Sequence, residues 1–514
     1  MTRIDRFALL LCLCSLIANA QVAARVFENL PHLEDEMTYI WQAKVISGGN
    51  LLIPSPPSPG SFLVPFVIDY QGWRFGKYPL GFPVLLSFGE RLGLEDWVNP
   101  WIAAWSLWLI YRLGKKLFGE RTGLLAAGLT AASPFFLINS ADYLAHAWSL
   151  FLSCALALAW LDLFYYQTSV PAWLLAAVAG SSIGALALTR PWTAVGVTLP
   201  FALHAVFLLW KGAAQARKKV LATGFLAGGI SATYLIWQAA LTGSPWIDPY
   251  TLWWPFDRIG FGPGVGMEPG GNNLLSTISN ALYSLKIGTH DLMGWPYLSW
   301  LFLPFGIAAI RKNPPARLVS FVFPSLVFAY LFYWVGAWIY GPRYYYEGLY
   351  SLTLLTAAGI VWIYQRLTFR WNTFTLFRIN QVKPINVRIP SPGILAFTIL
   401  LGILISLNLG FYIPVRLGGL TGLYGVNRSQ LAPFLGPAAA ARTPALVIVH
   451  PDDNWRDYGT LLTLADPALD SPYIFAMSMG AANDRKLAAQ FPARQVFHYY
   501  PLQHPGKFYL QALP

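Results

Sequence analysis

Long apolar runs separated by short polar stretches fill most of the chain. After a first run in MTRIDRFALLLCLCSLIANAQVA, others occupy 97–113, 122–138, 145–164, 172–188, 193–210, 220–241, 297–310, 318–338, 349–364 and 394–412. About 20 apolar residues in a helix span the hydrocarbon core of a bilayer, so the pattern predicts about eleven transmembrane helices. The shorter run PLGFPVLLSFGERLGL, from Pro79, is broken by Glu90 and Arg91 and reads as a helix lying along the membrane. The start of the chain, with Arg3, Arg6 and the small residues of Ala18-Asn19-Ala20, has the look of a cleavable signal peptide. Its apolar run continues through Val22, Ala23, Ala24 and Val26, long enough to be an uncleaved first span with the N-terminus inside.

Positive charge fixes the expected orientation. If the run from Pro79 does not cross, four basic groups share one side: Arg112, Lys115, Lys116 and Arg121; Lys211, Arg217, Lys218 and Lys219; Arg311, Lys312 and Arg317; Arg366, Arg370, Arg378, Lys383 and Arg388. This is the positive-inside pattern of a multi-pass plasma-membrane protein with a cytoplasmic N-terminus. If it crossed, every cluster would face outward. Composition agrees, with 56% hydrophobic and 11% charged residues, outside the range of a soluble domain. Topology therefore accounts for the net charge of +12, and nucleic acid is not an expected partner. The three cysteines, Cys12, Cys14 and Cys154, lie in apolar runs and suggest no disulfide framework.

Three segments are then expected outside: 25–96, 242–296 and everything after 412. In the second, PWIDPYTLWWPFDRIGFGPGVGMEPGGNN is so rich in glycine and proline that it predicts an irregular, mobile, aromatic-studded flap. Gly262, Gly264 and Gly266 make no nucleotide fingerprint, because no strand precedes them. The tail changes character, with strand-like runs at 445–450, 473–479 and 495–500 and a short helix at 483–491. The expected organisation is thus a transmembrane domain, 1–412, and a small extracytoplasmic α/β domain, 413–514, that supports the first or guides an acceptor. The HPDD stretch at His450 reads as structural rather than as a ligand cluster.

The polar residues that interrupt the apolar pattern gather at one expected level, the outer membrane surface. HLEDEMTYIWQAKVI, from His32, predicts an interfacial helix with Met37, Ile40, Trp41 and Val45 on one face and Asp35, Tyr39 and Gln42 on another. Its acids have a plain explanation in the helix dipole, with Asn29 as cap and Pro31 early in the helix. Lys77 precedes the second interfacial helix, Arg343 lies in YGPRYYYEG, Arg190 in LTRPW, and Asp142 and His146 in NSADYLAHAW. Individually these are ordinary anchors, caps and helix ends, and Tyr344, Tyr345 and Tyr346 suit an aromatic belt. Together they suggest a polar cavity that handles an anionic, lipid-attached group. Trp246, Trp253, Trp254 and Trp295 suit sugar stacking, and suit interfacial anchoring better.

The order of these elements resembles the GT-C glycosyltransferases: a first span, an Asp-Glu external loop on an interfacial helix, a Lys-Tyr-Pro-Leu run and the basic loop KKLFGERTG. The nearest pattern is the branch holding protein O-mannosyltransferases, the aminoarabinose transferase of lipid A and the rhizobial lipopolysaccharide transferases. The resemblance covers roughly the first half of the chain plus GPRYYYEG. It implies an all-α polytopic membrane protein of GT-C fold and a polyprenyl-phosphate sugar donor. It also implies inverting transfer to a cell-envelope acceptor, whether lipid, glycan or protein. By motif position it makes Asp35 the catalytic base, with Glu36 next to it, and assigns the donor phosphate to Lys77, Arg343 and Tyr344. Tyr39, Asp142, His146, Arg190 and Glu347 complete the expected cavity. Glu34 is expected to act only as a favourable charge at the helix start. Thr38 and Glu347 depart from the aminoarabinose branch, which has arginine and proline there, so sugar and acceptor stay open. A phosphate leaving group with two cations does not require a metal or other cofactor, and none is expected. The competing class is a transporter or lipid flippase, which would place charges near mid-membrane and show internal repeats. A lipid-linked glycan polymerase or ligase is the enzymatic alternative.

Overall fold

In the computed structural model, α1 (Arg3–Arg25) is one continuous helix that opens on a Thr2 cap, whose hydroxyl accepts the Asp5 N–H at 3.2 Å. The structure describes residues 1–368, 374–376, 385–387, 392–452 and 455–513. Arg370, Arg378, Lys383 and Arg388 of the fourth basic group therefore lie outside the described residues. Ala8 and Cys12 of α1 pack on Leu107 and Tyr111 of α4 (Glu95–Phe118) and on Ala127 of α5 (Glu120–Ala131). Asp5 ties the three helices together: it accepts from Tyr111 Oη at 2.6 Å and from Lys115 Nζ at 2.7 Å, and Lys115 also pairs with Glu120 at 2.9 Å. The crossing of α4 and α5 depends on glycine, since a Cβ on Gly123 would lie 2.5 Å from the Lys115 nitrogen.

Among the described residues, six helices are long and apolar enough to cross a membrane: Arg3–Arg25, His146–Phe164, Pro191–Lys211, Ala214–Thr242, Arg343–Thr368 and Pro392–Gly418. Of the other five predicted spans, 97–113 lies within the continuous helix α4, 172–188 forms a shorter helix, and the remaining three are interrupted at prolines. A residue with no N–H and a fixed φ starts helices rather than continuing them. Thus 122–138 splits at Ser133-Pro134 into α5 and α6 (Pro134–Asn139), and 297–310 keeps only the helix Leu303–Ala309. The run 318–338 becomes Pro314–Ser320 and Val322–Tyr330, with irregular chain beyond. The run 172–188 gives α8 (Ala172–Ala187), a shorter apolar helix of 16 residues packed between α7 (His146–Phe164) and α10 (Ala214–Thr242). The last apolar helix continues past residue 412 to Gly418.

The first long loop begins with α2 (Glu34–Ser47) and then makes an antiparallel sheet of order β1-β3-β2, from Ile53–Pro54, Val67–Tyr70 and Trp73–Gly76. The run from Pro79 forms α3 (Gly81–Leu92), which ends after Glu90 and Arg91 at Gly93 in the left-handed conformation. Gly81 is fixed by close approach: its N–H donates to Leu188 O at 2.7 Å, and a Cβ there would meet Thr189 Oγ1 at 2.2 Å. The segment 242–296 is more regular than expected. After the short helix Pro249–Trp253 and a glycine-rich turn region, Asn273 caps an 18-residue helix, Leu274–Asp291. The glycine and proline cluster covers only the first half of this segment, and LLSTISNALYSLKIG has helical periodicity.

The tail is a four-stranded sheet of order β7-β6-β8-β9, from β6 (Ala445–Val449), β7 (Tyr473–Met477), β8 (Gln495–Tyr499) and β9 (Phe508–Tyr509). The first three strands are parallel and β9 is antiparallel. All five residues of β6 are buried, as a strand covered on both faces requires. Phe62 of the first loop joins Leu446, Ile448 and Leu487 in one of its two cores. Lys44 of α2 donates to Thr463 O at 2.8 Å and Ala465 O at 3.0 Å, fastening the tail to the same loop.

Candidate active site

The start of α2 orients the three acids differently. The Glu36 carboxylate accepts the His32 N–H at 2.6 Å and the Leu33 N–H at 3.4 Å, satisfying donors that precede the first helical turn. Asn29 is not the cap; its φ of 54° puts it in the turn before the helix. Glu36 is 1% exposed and does not line the cavity described below, which corrects its expected place beside the base: it is spent on capping. Thr38 Oγ1 donates to Pro65 O at 2.6 Å and Gln42 Nε2 to Tyr78 O at 2.8 Å, so the helix is fixed against the strand-and-turn segment that carries Lys77.

These contacts aim Asp35 and Tyr39 into a cavity of about 520 Å³ at one end of the helical bundle. Of the residues expected to form a site, Asp35, Tyr39, Lys77, His146, Arg190, Arg343 and Tyr344 all line it. Asp35 accepts from the Tyr78 hydroxyl and from Arg343 Nη2 at 3.3 Å. Burial pushes its pKa up, but Arg343, then Lys77 and the Tyr78 hydroxyl outweigh burial and hold it below the usual aspartate value. Glu34 also lines the cavity, a place the sequence reading did not give it, and its pKa is raised by burial and by the charge of Asp35. Adjacent acids thus have opposite shifts because only Asp35 has both a cation and a hydroxyl within bonding distance.

Lys77 is 3% exposed, and its ammonium sits in a cage: 3.6 Å from the Phe66 ring centre, 5.0 Å from Trp254, 5.1 Å from Tyr250 and 5.3 Å from Tyr78. Its counter-ion is Asp257 at 3.6 Å, which also accepts from Tyr333 Oη at 2.9 Å and Trp334 Nε1 at 3.2 Å. Burial lowers the Lys77 pKa, opposed first by Asp257 and then by Asp35. A snorkelling anchor would reach water, so enclosure at 3% exposure rules out that reading of Lys77.

Arg190 is held by a buried network. Glu347 Oε1 lies 3.2 Å from His146 Nδ1 and 3.7 Å from Arg190 Nε, and Arg190 Nη1 lies 2.7 Å from both ring nitrogens of His146. A neutral imidazole meets both partners if Nδ1–H donates to Glu347 and Nε2 accepts from Arg190. Arg190 also donates to Thr193 Oγ1 at 3.1 Å and Tyr330 Oη at 3.2 Å. Glu347 is completely buried behind the cavity and does not line it. Neither does Asp142, whose Oδ1 accepts the Leu144 N–H at 2.9 Å. Burial pushes the Asp142 carboxyl up to about 7, and burial together with Asp142 pushes Glu36 well above the usual range, so this close acid pair retains a proton. Glu36, Asp142 and Glu347 therefore support the wall from behind.

The aromatic expectations divide. Tyr344 lines the cavity and stacks on Tyr330 at 4.8 Å, while Tyr345 and Tyr346 are core residues, 4% and 0% exposed, and not a belt at headgroup level. Trp254 lines the cavity, Trp253 packs against Phe66, Trp295 is buried and Trp246 is exposed. Sequence reasoning missed Asp257, Tyr250 and Tyr330. Asp257 left a signal, an acid inside the aromatic run LWWPFDRIGF.

Two crystal structures of ArnT from Cupriavidus metallidurans superpose on nearly the whole chain. The apo form matches with a TM-score of 0.55 and 14% identity, covering 94% of this chain and 88% of that one. The form bound to undecaprenyl phosphate matches at 0.54 and 12%, covering 95% and 89%. The fold is that of the GT-C glycosyltransferases. An oligosaccharyltransferase from Archaeoglobus fulgidus matches this GT-C architecture at 0.50 and 12% identity, covering 94% of this chain and 67% of that one. No protein-family model and no curated protein sequence matches the chain. The resemblance read from Asp35, Lys77 and Arg343 is therefore matched by a shared fold that extends well beyond the motifs.

Proposed function

We propose that the chain is an inverting membrane glycosyltransferase that takes a sugar from a polyprenyl-phosphate donor and passes it to a hydroxyl of a cell-envelope acceptor on the extracytoplasmic face. The observation that carries this reading is the pairing, on one cavity wall, of an ionised Asp35 with Arg343, with Lys77 and Arg190 facing the same space. A volume near 520 Å³ suits a sugar phosphate head, within the roughly 300–1,000 Å³ of small-molecule sites. The ArnT structure holding undecaprenyl phosphate supports a lipid phosphate as the donor carrier.

In the proposed step the acceptor oxygen attacks the anomeric carbon opposite the phosphate. The bond from that carbon to the phosphate oxygen breaks, the electron pair leaves with the polyprenyl phosphate, and the acceptor proton goes to Asp35. Arg343 and Lys77 stabilise charge growing on the leaving phosphate, where fixed cations in a poorly hydrated site act most strongly. Arg343 serves two partners: paired with Asp35 it holds the carboxylate ionised, and when it turns to the phosphate it leaves Asp35 a better base. Tyr39 and Trp254 offer faces for the sugar.

The test offers purified protein a panel of polyprenyl-phosphate sugars with envelope acceptors and follows turnover of each. Asp35→Asn should insert and fold normally yet lower transfer by at least about 100-fold, the scale of a general base. Full transfer by that variant would remove Asp35 from the role, and no turnover of any donor would remove the reading itself.

A further inference from the structure

We propose that His450, His498 and Asp484 form a binding site for a divalent transition-metal cation, Zn²⁺ by ligand type, at the carboxyl ends of the tail's parallel strands. His450 directly follows β6, His498 lies in β8, and Asp484 lies in the first turns of the helix Ala481–Ala489 that connects β7 to β8. The three ligand atoms lie within 4.8 Å of one another. His450 Nε2 is 2.8 Å from His498 Nδ1, and the His450 N–H donates to Tyr499 O at 2.8 Å, which fixes its backbone to the neighbouring strand. Spreading the two nitrogens by roughly 0.5 Å brings them to the spacing of two ligands on a tetrahedral zinc.

Three independent features favour a ligand here. The first is topology: the chain leaves the central strand β6 for β7 on one side and returns across it to β8 on the other, and such a reversal opens a crevice beyond the strand ends. The second is charge. Asp484 is 4% exposed, and among the described residues no lysine or arginine forms an ion pair with it, so a buried carboxylate lacks a cation. The third is orientation. Asp484 Oδ2 accepts from Ser478 Oγ at 2.6 Å and Oδ1 from the Met479 N–H at 3.1 Å, while the His450 ring stacks on Tyr500 at 4.4 Å. Outer partners of this kind fix ligand direction in metal sites. Two imidazoles with one carboxylate favour zinc and its neighbours over calcium or magnesium, which prefer all-oxygen sites. The bound ion would pin the helix Ala481–Ala489 to the sheet. The HPDD motif reads as structural in sequence because its partners come from two distant stretches.

The site is tested on the full chain in detergent, with any histidine tag removed. Chelated protein is titrated with Co²⁺, followed by its visible ligand-field absorption, and retained Zn²⁺ is counted after dialysis. The expected result is about one ion per chain, displacement of Co²⁺ by Zn²⁺, and a higher unfolding temperature with metal. His498→Asn and Asp484→Asn, which keep local hydrogen bonding, should lose the ion and the temperature rise while unfolding like the metal-free wild type. Absence of a Co²⁺ spectrum in the wild type, or equal retention by both variants, would overturn the proposal. If a variant fails to fold, the wild-type Co²⁺ titration decides alone.

Discussion

Asp35 and Glu36 are adjacent in sequence, but one is drawn into a cationic cavity and the other into a backbone cap. A folded-state pKa below the ordinary value means that Asp35 stays ionised, and ready to accept a proton, at lower pH than an ordinary aspartate does. Its acid limb in a pH–rate profile should therefore lie at unusually low pH. Arg343→Gln removes the largest influence opposing burial, so Asp35 should protonate at higher pH and the acid limb of kcat/KM should move upward. Maximal rate should also fall by roughly 100-fold, the scale of losing one preorganised charge partner. A limb that stayed in place would mean that another group titrates. That Asp35, Lys77 and Arg343 face one cavity was legible in sequence because charge is rare in this chain and all three fall at the expected outer membrane surface. Glu36 was misplaced because capping depends on where the helix starts, and periodicity locates such ends poorly.

At the scale of elements, α3 matters through its first residue. Gly81 lets the α3 backbone touch the end of α8, two residues before Arg190, and so sets the distance between Arg190 and the Lys77 turn. Gly81→Val should force these elements apart, raising KM for the lipid donor several-fold and lowering the unfolding temperature, with overpacking costing about 1–3 kcal/mol. Steady-state kinetics at varied donor and thermal unfolding in detergent check both. Most helices were legible from apolar length. The runs cut by Pro134, Pro304 and Pro324 were not, because length counts hydrophobicity while proline decides where a helix can begin. The helix Leu274–Asp291 was obscured by the glycine-rich stretch before it, although Asn273 marks its start in the sequence.

For the whole molecule, the positive-inside pattern predicts the cavity and the tail on one side of the membrane and Lys218 on the other. In a Cys14→Ser background, Trp246→Cys should react with an impermeant maleimide in intact cells, and Lys218→Cys only after lysis. The reverse pattern would invert the topology. The tail's strands were legible, but its docking on α2 through Lys44 was not, since that contact joins chain ends whose proximity no local pattern encodes.

The pairing of Lys77 with Asp257 bears on how a reaction cycle would end. Glycosyl transfer turns a phosphodiester with one negative charge into a monophosphate with up to two, so the spent carrier would grip a cationic site harder than the fresh one. A lysine already matched to its own carboxylate has somewhere to return to, so under the proposed reaction Asp257 would act as a built-in competitor for the spent lipid. Asp257→Asn should then bind polyprenyl phosphate more tightly and turn over more slowly, with product inhibition rising as the single-turnover rate holds. The acid that sequence reading passed over would set the pace of release rather than of bond making.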